Sequence, residues 1–274
     1  MSVLEPTGPN ADQIAFWTGA QAWVAQQELL DEQLGPLGLA GMQTLAPRPG
    51  ETILDVGCGC GATTLELAGR VAPGGAVTGV DISAPMLAVA EARAGGRARF
   101  LLADAQTHAL PAANGVFSRF GVMFFADPAA AFANIRMALE PGGRVVFVCW
   151  RSLAENHWMS VPFAAAAPFL PPMPAGDPNA PGPFAFADAD RVRRILAAAG
   201  YSKIEIEPHD ERIGSSTVER AMQIVLGVGP LSRALREHPE ARAPATAAVA
   251  KALEPHEGPD GVKLDSAVWI VRAS

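Results

Sequence analysis

Residues 52–71 read TILDVGCGCGATTLELAGRV. The run opens on a short apolar segment, turns through three glycines at alternate positions (Gly57, Gly59 and Gly61), and continues with apolar residues at helical spacing. A strand that enters a helix through such a turn is the opening unit of a parallel α/β sheet. Glycine suits the turn because it lacks a Cβ, takes positive φ freely and lets a ligand approach the backbone. The first N–H groups of the following helix point to the same place.

The alternation continues outward from this unit. AVTGVDI (76–82) reads as a second strand and APMLAVAEARA (84–94) as a second helix. ARFLLAD (98–104) and GVFSRFG (115–121) read as the third and fourth strands, PAAAFANIRMAL (128–139) as a helix, and GRVVFVCW (143–150) as the fifth strand. Strands joined through helices need crossover connections, which gives a parallel sheet with helices on both faces. Before this core, residues 11–46 carry a helical pattern, and Gly35-Pro36 is expected to divide it into two helices. After the core, the proline-rich stretch PFLPPMPAGDPNAPGP (168–183) excludes long helices and strands; a linker and a stiffened lid over a pocket are both open readings. The pattern resumes with DADRVRRILAAAGY (188–201), a helix capped by Asp188 and closed by Gly200. KIEIEP (203–208) follows as a strand, 217–253 reads as helical, and SAVWIVRA (266–273) is the final strand.

Composition narrows the function classes. At 274 residues and 49% hydrophobic, the chain can bury a large core. Its net charge of −7 and lack of a Lys/Arg run argue against gripping nucleic acid by its phosphates. Cys58, Cys60 and Cys149 cannot form a disulfide framework, and the scattered histidines offer no zinc spacing, so no metal is expected. The N-terminus lacks the layout of a signal peptide, and no apolar run approaches the length of a membrane span. A soluble cytoplasmic protein is the expectation.

Two acids flank the glycine turn. Asp55 lies two residues before Gly57, and Asp81 ends the second strand, where a ribose-binding acid belongs. GCGCGA also satisfies the loose dinucleotide fingerprint, so an NAD(P)-dependent oxidoreductase is one reading. Asp55 favours another. A carboxylate gives nothing to a pyrophosphate, whereas it attracts a ligand with a cationic amino-acid end. Asp55 can equally tie the turn together by hydrogen bonds, and the two roles are compatible.

Together ILDVGCGCGATT, VTGVDIS, LLADAQ and LEPGGRVVFVCW resemble the successive motifs of class I S-adenosylmethionine-dependent methyltransferases, in particular the subgroup of ubiquinone/menaquinone-biosynthesis enzymes. The resemblance covers roughly residues 48–150. It implies an α/β fold with a Rossmann-like, doubly wound seven-stranded sheet, mostly parallel with an antiparallel last strand, plus helical and Pro-rich cap insertions. The expected organisation is an N-terminal helical cap (1–46), the cofactor-binding core (47–150), a Pro-rich lid or insertion (151–187), and a C-terminal completion of the sheet (188–274) carrying the helical insertion (217–253). The implied cofactor is S-adenosyl-L-methionine. By position, Asp55, Gly57, Cys58 and Gly59 would surround its methionine portion; Asp81 would take the ribose hydroxyls, with Ile82 and Met86 on the adenine side. Asp104 and Ala105 would meet the adenine edge. Met86 read as core packing and Asp104 as a solvated strand end are the plainer alternatives.

The segment FWTGAQAW (16–23) resembles the aromatic stretch that precedes the core in many of these enzymes. Trp17 or Trp23 facing a sulfonium would make a cation–π contact, with helix packing as the other reading. The acceptor is expected to be a small molecule, hydrophobic or aromatic, because aromatic residues crowd the segment after the fifth strand (Trp150, Trp158, Phe163). SRFGVMFF (118–125) lacks the Asn/Asp-Pro-Pro-aromatic run of amine and amide methylating relatives. Phe120 is expected at the floor beneath the transferring methyl group, with Phe124 and Arg151 as further acceptor-side candidates. Arg119 can hold an anionic substrate group or pair with Asp104 or Asp127, and His157 can act as a general base or stand as a structural histidine. Since no indispensable base is visible, cofactor binding with a sensing role or with chemistry other than methyl transfer is a third reading.

Overall fold

The computed structural model describes residues 4–172 and 176–274; residues 1–3 of the expected N-terminal cap and 173–175 of the expected lid lie outside the described residues. The central sheet contains β1 (Thr52–Val56), β2 (Ala76–Asp81), β3 (Arg99–Leu102), β4 (Ala113–Arg119), β5 (Leu139–Trp150), β6 (Ile204–Ser215), the two-residue β7 (Glu257–Gly258) and β8 (Gly261–Ala273). Strand order is β3-β2-β1-β4-β5-β8-β6, with β7 pairing β8. The five strands from β3 to β5 are parallel, and β8 runs antiparallel to both β5 and β6. This is the seven-stranded, doubly wound sheet expected from the sequence, with a small hairpin added by β7.

The parallel strands are connected by α4 (Ala62–Val71), α5 (Ala84–Ala94) and α6 (Pro128–Met137), and α8 (Ala189–Ala198) precedes β6. Asp127 caps α6 by accepting from the Ala130 N–H, and Asp188 caps α8 by accepting from the Asp190 N–H. The order reverses between β1 and β4, so the crevice at their carboxyl ends is the place where a ligand can enter.

The N-terminal region departs from expectation. It forms three helices, α1 (Ala11–Thr18), α2 (Gln21–Ala25) and α3 (Gln27–Leu45), and α3 runs through Pro36 without a break. Proline inside a helix costs about 3 kcal/mol. Here Pro36 is on the exposed side, while Leu29, Leu30 and Leu34 before it, and Leu37, Met42 and Leu45 after it, are buried. Each of those side chains contributes roughly 1.5–3 kcal/mol on burial, which outweighs the proline.

Helix α7 (His157–Ala166) and the late helices α9 (Val218–Gly227), α10 (Gly229–Glu237) and α11 (Arg242–Leu253) build a cap beside the sheet. They bury their own small core, in which Leu231, Leu235, Val249 and Leu253 pack with Val262 and Leu264 of β8. The proline-rich stretch leads back to the main core at its far end: the Gly182 N–H donates to the Met123 carbonyl and Phe186 is fully buried.

Two turns meet backbone to backbone beneath the crevice. Gly57 has φ +69°, and a Cβ placed on it would lie 2.7 Å from the Gly121 Cα. A Cβ on Gly121 would in turn lie 2.8 Å from the Gly57 Cα and the Val56 carbonyl oxygen. Gly57→Ala therefore combines overpacking and positive-φ strain, each on the order of 1–3 kcal/mol. Gly95 also has positive φ but open space around its Cβ position. In thermal unfolding, Gly57→Ala is expected to lower Tm by roughly 5–15 °C and Gly95→Ala by no more than about 4 °C; equal losses would show that the contact between the turns carries no stability.

Candidate active site

A cavity of about 260 Å³ opens at the carboxyl ends of β1 to β5, bounded by α1–α3 on one side and by the α7, α9 and α10 cap on the other. Its walls include most of the residues singled out in the sequence. Gly57, Cys58, Gly59, Asp81, Ile82 and Met86 form the wall beside β1 and β2. Asp104, Ala105, Arg119 and Phe120 continue it past β3 and β4, and Trp17 and Trp23 face them from the N-terminal helices.

Asp81 is 9% exposed, and each of its carboxylate oxygens already accepts one backbone N–H: Oδ1 from Ser83 and Oδ2 from Gly59, both at 2.8 Å. An ionised carboxylate offers about four acceptor positions. The two bonds thus orient the group and leave each oxygen able to take a hydroxyl. Burial raises the Asp81 pKa, and the bonds from Ser83 and Gly59 oppose the shift. Gly59 has φ +53°, and a Cβ on it would meet only the Met86 sulfur, at 3.8 Å, so this part of the turn faces space rather than protein.

Asp104 is held from an unexpected direction. Asn10, just before α1, donates its side-chain amide to both Asp104 oxygens, at 2.9 and 3.0 Å, and to Gln106 Oε1 at 3.0 Å. The Asn10 side-chain oxygen Oδ1 accepts from the Ala126 N–H. One buried amide therefore pins the N-terminal segment, the β3 end and the loop beyond β4 together. Asn10 occupies a cap position by sequence, but its side chain caps nothing in α1.

Asp55 lies behind the turn and not on the cavity wall. It is fully buried; Oδ2 accepts from the Thr63 and Thr64 hydroxyls at 2.7 and 2.6 Å, while Oδ1 has no partner among the described residues. Desolvation pushes its pKa up to about 6, against the lowering effect of the two threonines and of Arg119. Arg119 packs beside Thr63 and Gly38. Its partner is Asp31 of α3 at 3.7 Å, not Asp104 or Asp127, and Asp31 is bonded more closely to Arg93 at 2.7 Å. Burial lowers the Arg119 pKa and the neighbouring Asp31 opposes it.

Aromatic side chains shape the rest. Trp17 meets Trp23 and Phe124 edge-on at 5.3 and 5.2 Å. Phe120, at φ +63°, stacks flat on Trp150 at 4.0 Å, and Trp158 lies 5.0 Å beyond. Burial raises the thiol pKa of Cys58 and pushes that of Cys60 up to about 11, so neither is a thiolate near neutrality.

Two acceptor-side candidates lie off the cavity. His157 is half exposed and does not line the cavity; it pairs with Asp265 at 3.1 Å. It begins α7 on the outer side, while Trp158, Met159 and Pro162 of the same helix turn inward. It is not placed to act as the general base. Arg151 also leaves the cavity, bonding Asp210 and Glu155 and lying over the Trp269 ring. Among the described residues no metal-ligand cluster occurs and no helix is long and apolar enough to cross a membrane.

The cavity joins a polar wall at the glycine turn and Asp81 to an apolar chamber beyond Phe120. A family model described as a methyltransferase domain matches residues 53–143. The demethylmenaquinone methyltransferase of Thermus thermophilus is 35% identical over 165 residues, covering 55% of this chain and 74% of that one. The nocamycin O-methyltransferase of Saccharothrix syringae is 36% identical over 116 residues, covering 40% of this chain and only 41% of its own length. A Haemonchus contortus phosphoethanolamine N-methyltransferase, solved with S-adenosylhomocysteine, shares the fold at a TM-score of 0.55 and 19% identity over 99% of this chain and 60% of that one. The chain belongs to the class I S-adenosylmethionine-dependent methyltransferases. The nicotinamide reading of the glycine turn falls with that assignment.

The buried acid beneath the turn has a measurable consequence. A carboxyl whose folded pKa is about 6, against an ordinary 3.8, is favoured in its neutral form by the folded state. Its contribution is present below pH 4 and is lost as pH rises toward 6, by an amount on the order of 3 kcal/mol. Asp55→Asn keeps an acceptor for the threonines and removes the titration. The stability difference between wild type and Asp55→Asn in urea unfolding should shift in favour of the variant between pH 4 and 6.5; a difference flat with pH would place the ionisation elsewhere.

Proposed function

We propose that the protein transfers a methyl group from S-adenosylmethionine to a small, largely apolar, ring-bearing metabolite. The observation that carries this reading is the composition of the chamber beyond Phe120. Trp150, Trp158, Phe163, Ile224, Val225 and Leu231 line it, and no His, Glu, Lys or Tyr lines the cavity among the described residues. Such walls favour an apolar acceptor and exclude water. The relative named for demethylmenaquinone acts on a small molecule of this general kind.

The cofactor supplies an electrophilic methyl group on a sulfonium with a good leaving group. In this reading the chain's own residues align, hold and dehydrate. Asp81 accepts the ribose hydroxyls with the lone pairs left free by Ser83 and Gly59. Asp104, fixed by Asn10, meets the adenine edge beside Ala105, whose carbonyl is occupied by the Asn134 amide. Ile82 and Met86 pack against the ring, Gly57, Cys58 and Gly59 allow close approach of the methionine portion, and Trp17 and Trp23 close the opposite side. Asp55 acts through the turn it ties.

Arg119 is assigned to the cofactor's carboxylate and not to catalysis. It stands on the glycine-turn side, beside Thr63, and its one ion pair among the described residues is long. With no His, Glu, Lys or Tyr on the described wall, and with Asp81 and Asp104 assigned to the cofactor, the acceptor reacts as a nucleophile made available by its own chemistry, and Phe120 stacked on Trp150 provides the flat floor against which it is aligned.

Truncated ligands separate these roles. Calorimetry is expected to show Asp81→Ala weakening both S-adenosylhomocysteine and methylthioadenosine at least tenfold, by loss of about 1.5–3 kcal/mol of charge-assisted bonding. Arg119→Ala should weaken only S-adenosylhomocysteine, because methylthioadenosine lacks the amino-acid end; equal losses of both would remove Arg119 from the carboxylate. His157→Ala should leave turnover unchanged. With methyl-labelled cofactor and pooled aromatic metabolites, label should enter an organic-extractable small molecule, and label found only in protein or nucleic acid would overturn the acceptor class.

A further inference from the structure

Helix α3 presents Leu30, Leu34 and Leu37 toward the interior, and Gln33 lies on the same face. Gln33 is 5% exposed and lines the chamber with Leu30, Leu34, Trp158 and Val225. Its amide makes no hydrogen bond to any protein group among the described residues. The Gln33 side chain is buried as a whole, yet its amide atoms keep access to the chamber, so the partner that satisfies them reaches them from there and not from the chain.

Within the side pocket, water is a poor candidate for that partner. Gln33 also borders a side pocket of about 20 Å³, large enough for one water. The other side chains there are apolar (Ile213, Ala221, Val225, Leu253, Val262, Leu264) or, for Trp158, already spent, since its indole N–H donates to Asn156. A buried water needs about two to four polar partners and would find few here. The main chamber is the direction in which a partner of useful size can come.

Resting on the methyl-transfer reading above, we propose that Gln33 is a specificity-determining residue that hydrogen-bonds a neutral oxygen of the acceptor, a ring carbonyl or hydroxyl, while the ring itself fills the apolar walls. The amide offers both a donor and an acceptor, so either oxygen function satisfies it. It is neutral, and it repays the desolvation of a neutral oxygen but not that of a charge. The acceptor class narrows accordingly, from any apolar ring to an oxygenated one.

The test uses two probes with one carbon skeleton, 1-tetralone and tetralin, which differ at the carbonyl. Their binding is measured by calorimetry on the full chain saturated with S-adenosylhomocysteine. Wild type is expected to favour the ketone by about tenfold or more. Gln33→Leu, close in volume, should erase or reverse that preference and leave S-adenosylhomocysteine affinity within about twofold. Gln33→Asn, with the amide drawn back by one methylene, should give an intermediate ratio and checks the result should the leucine variant fold poorly. The proposal is overturned if wild type does not discriminate between the probes, if it binds neither while still binding S-adenosylhomocysteine, or if Gln33→Leu keeps the ketone preference. Failure to bind S-adenosylhomocysteine at all would instead count against the methyltransferase reading on which the proposal stands.

Discussion

The contact on which the site depends is the one between Gly57 and Gly121. The turns after β1 and β4 touch through Cα atoms with no side chain between them. That closeness lets the two strands at the reversal of sheet order end together, so that Arg119 and Phe120 continue the wall that Gly59 and Asp81 begin. A Cβ at either glycine would separate the turns. The cofactor wall and the acceptor floor would then no longer be neighbours, whatever their own residues. Gly61 shows the same constraint one turn on, where a Cβ would lie 2.9 Å from that of Ala90. There the effect is to seat α4 against α5.

The elements above the turns pack through apolar side chains and are fixed in place by polar ones reaching across long sequence distances. Asn10 bonds Asp104 and the loop at Ala126; Asp31 of α3 joins Arg93 of α5 to Arg119 of β4; Arg144 bonds Glu51 and the carbonyls that end α3. Each of these ties the N-terminal helices to the sheet. Apolar packing alone would let α1–α3 slide over the crevice, since hydrophobic contact is not directional. Buried amides and ion pairs fix the register, because a misplaced partner leaves an unpaired polar group. The roof of the site is positioned by these few bonds.

What could be read in the sequence follows the same division. The parallel core was legible because strand and helix periods alternate over short stretches, and the glycine turn and Asp81 sit at fixed distances from them. The features that went unread are set by contacts between distant residues. Nothing near Asn10 names Asp104, and nothing near Arg119 names Asp31. Pro36 looked like a break because local propensity favours one, yet burial on the far face of α3 decided otherwise. His157 drew attention as a lone imidazole beside aromatics; helical geometry turned it outward as it turned Trp158 inward. Gln33 left a local trace, a polar residue on an apolar stripe, but only the cavity gives that trace a meaning.

The acceptor chamber lies between two cores rather than within one. Its floor, at Phe120, Trp150 and Met123, belongs to the sheet core, whereas Leu231 and the inward side of α7 belong to the small core of the cap. Trp158 packs against both. This division separates the demands on the two halves. The sheet side must hold a fixed cofactor geometry, and it does so with backbone turns and buried acids that tolerate little change. The cap side needs only apolar volume and a few polar anchors, supplied by helices that bury one another. Substitutions there can reshape the chamber without disturbing Asp81 or the glycine turn. In the reading proposed above, acceptor choice is therefore written in α3, α7, α9 and α10, while the methyl-transfer chemistry is written in the turns that follow β1, β2 and β4.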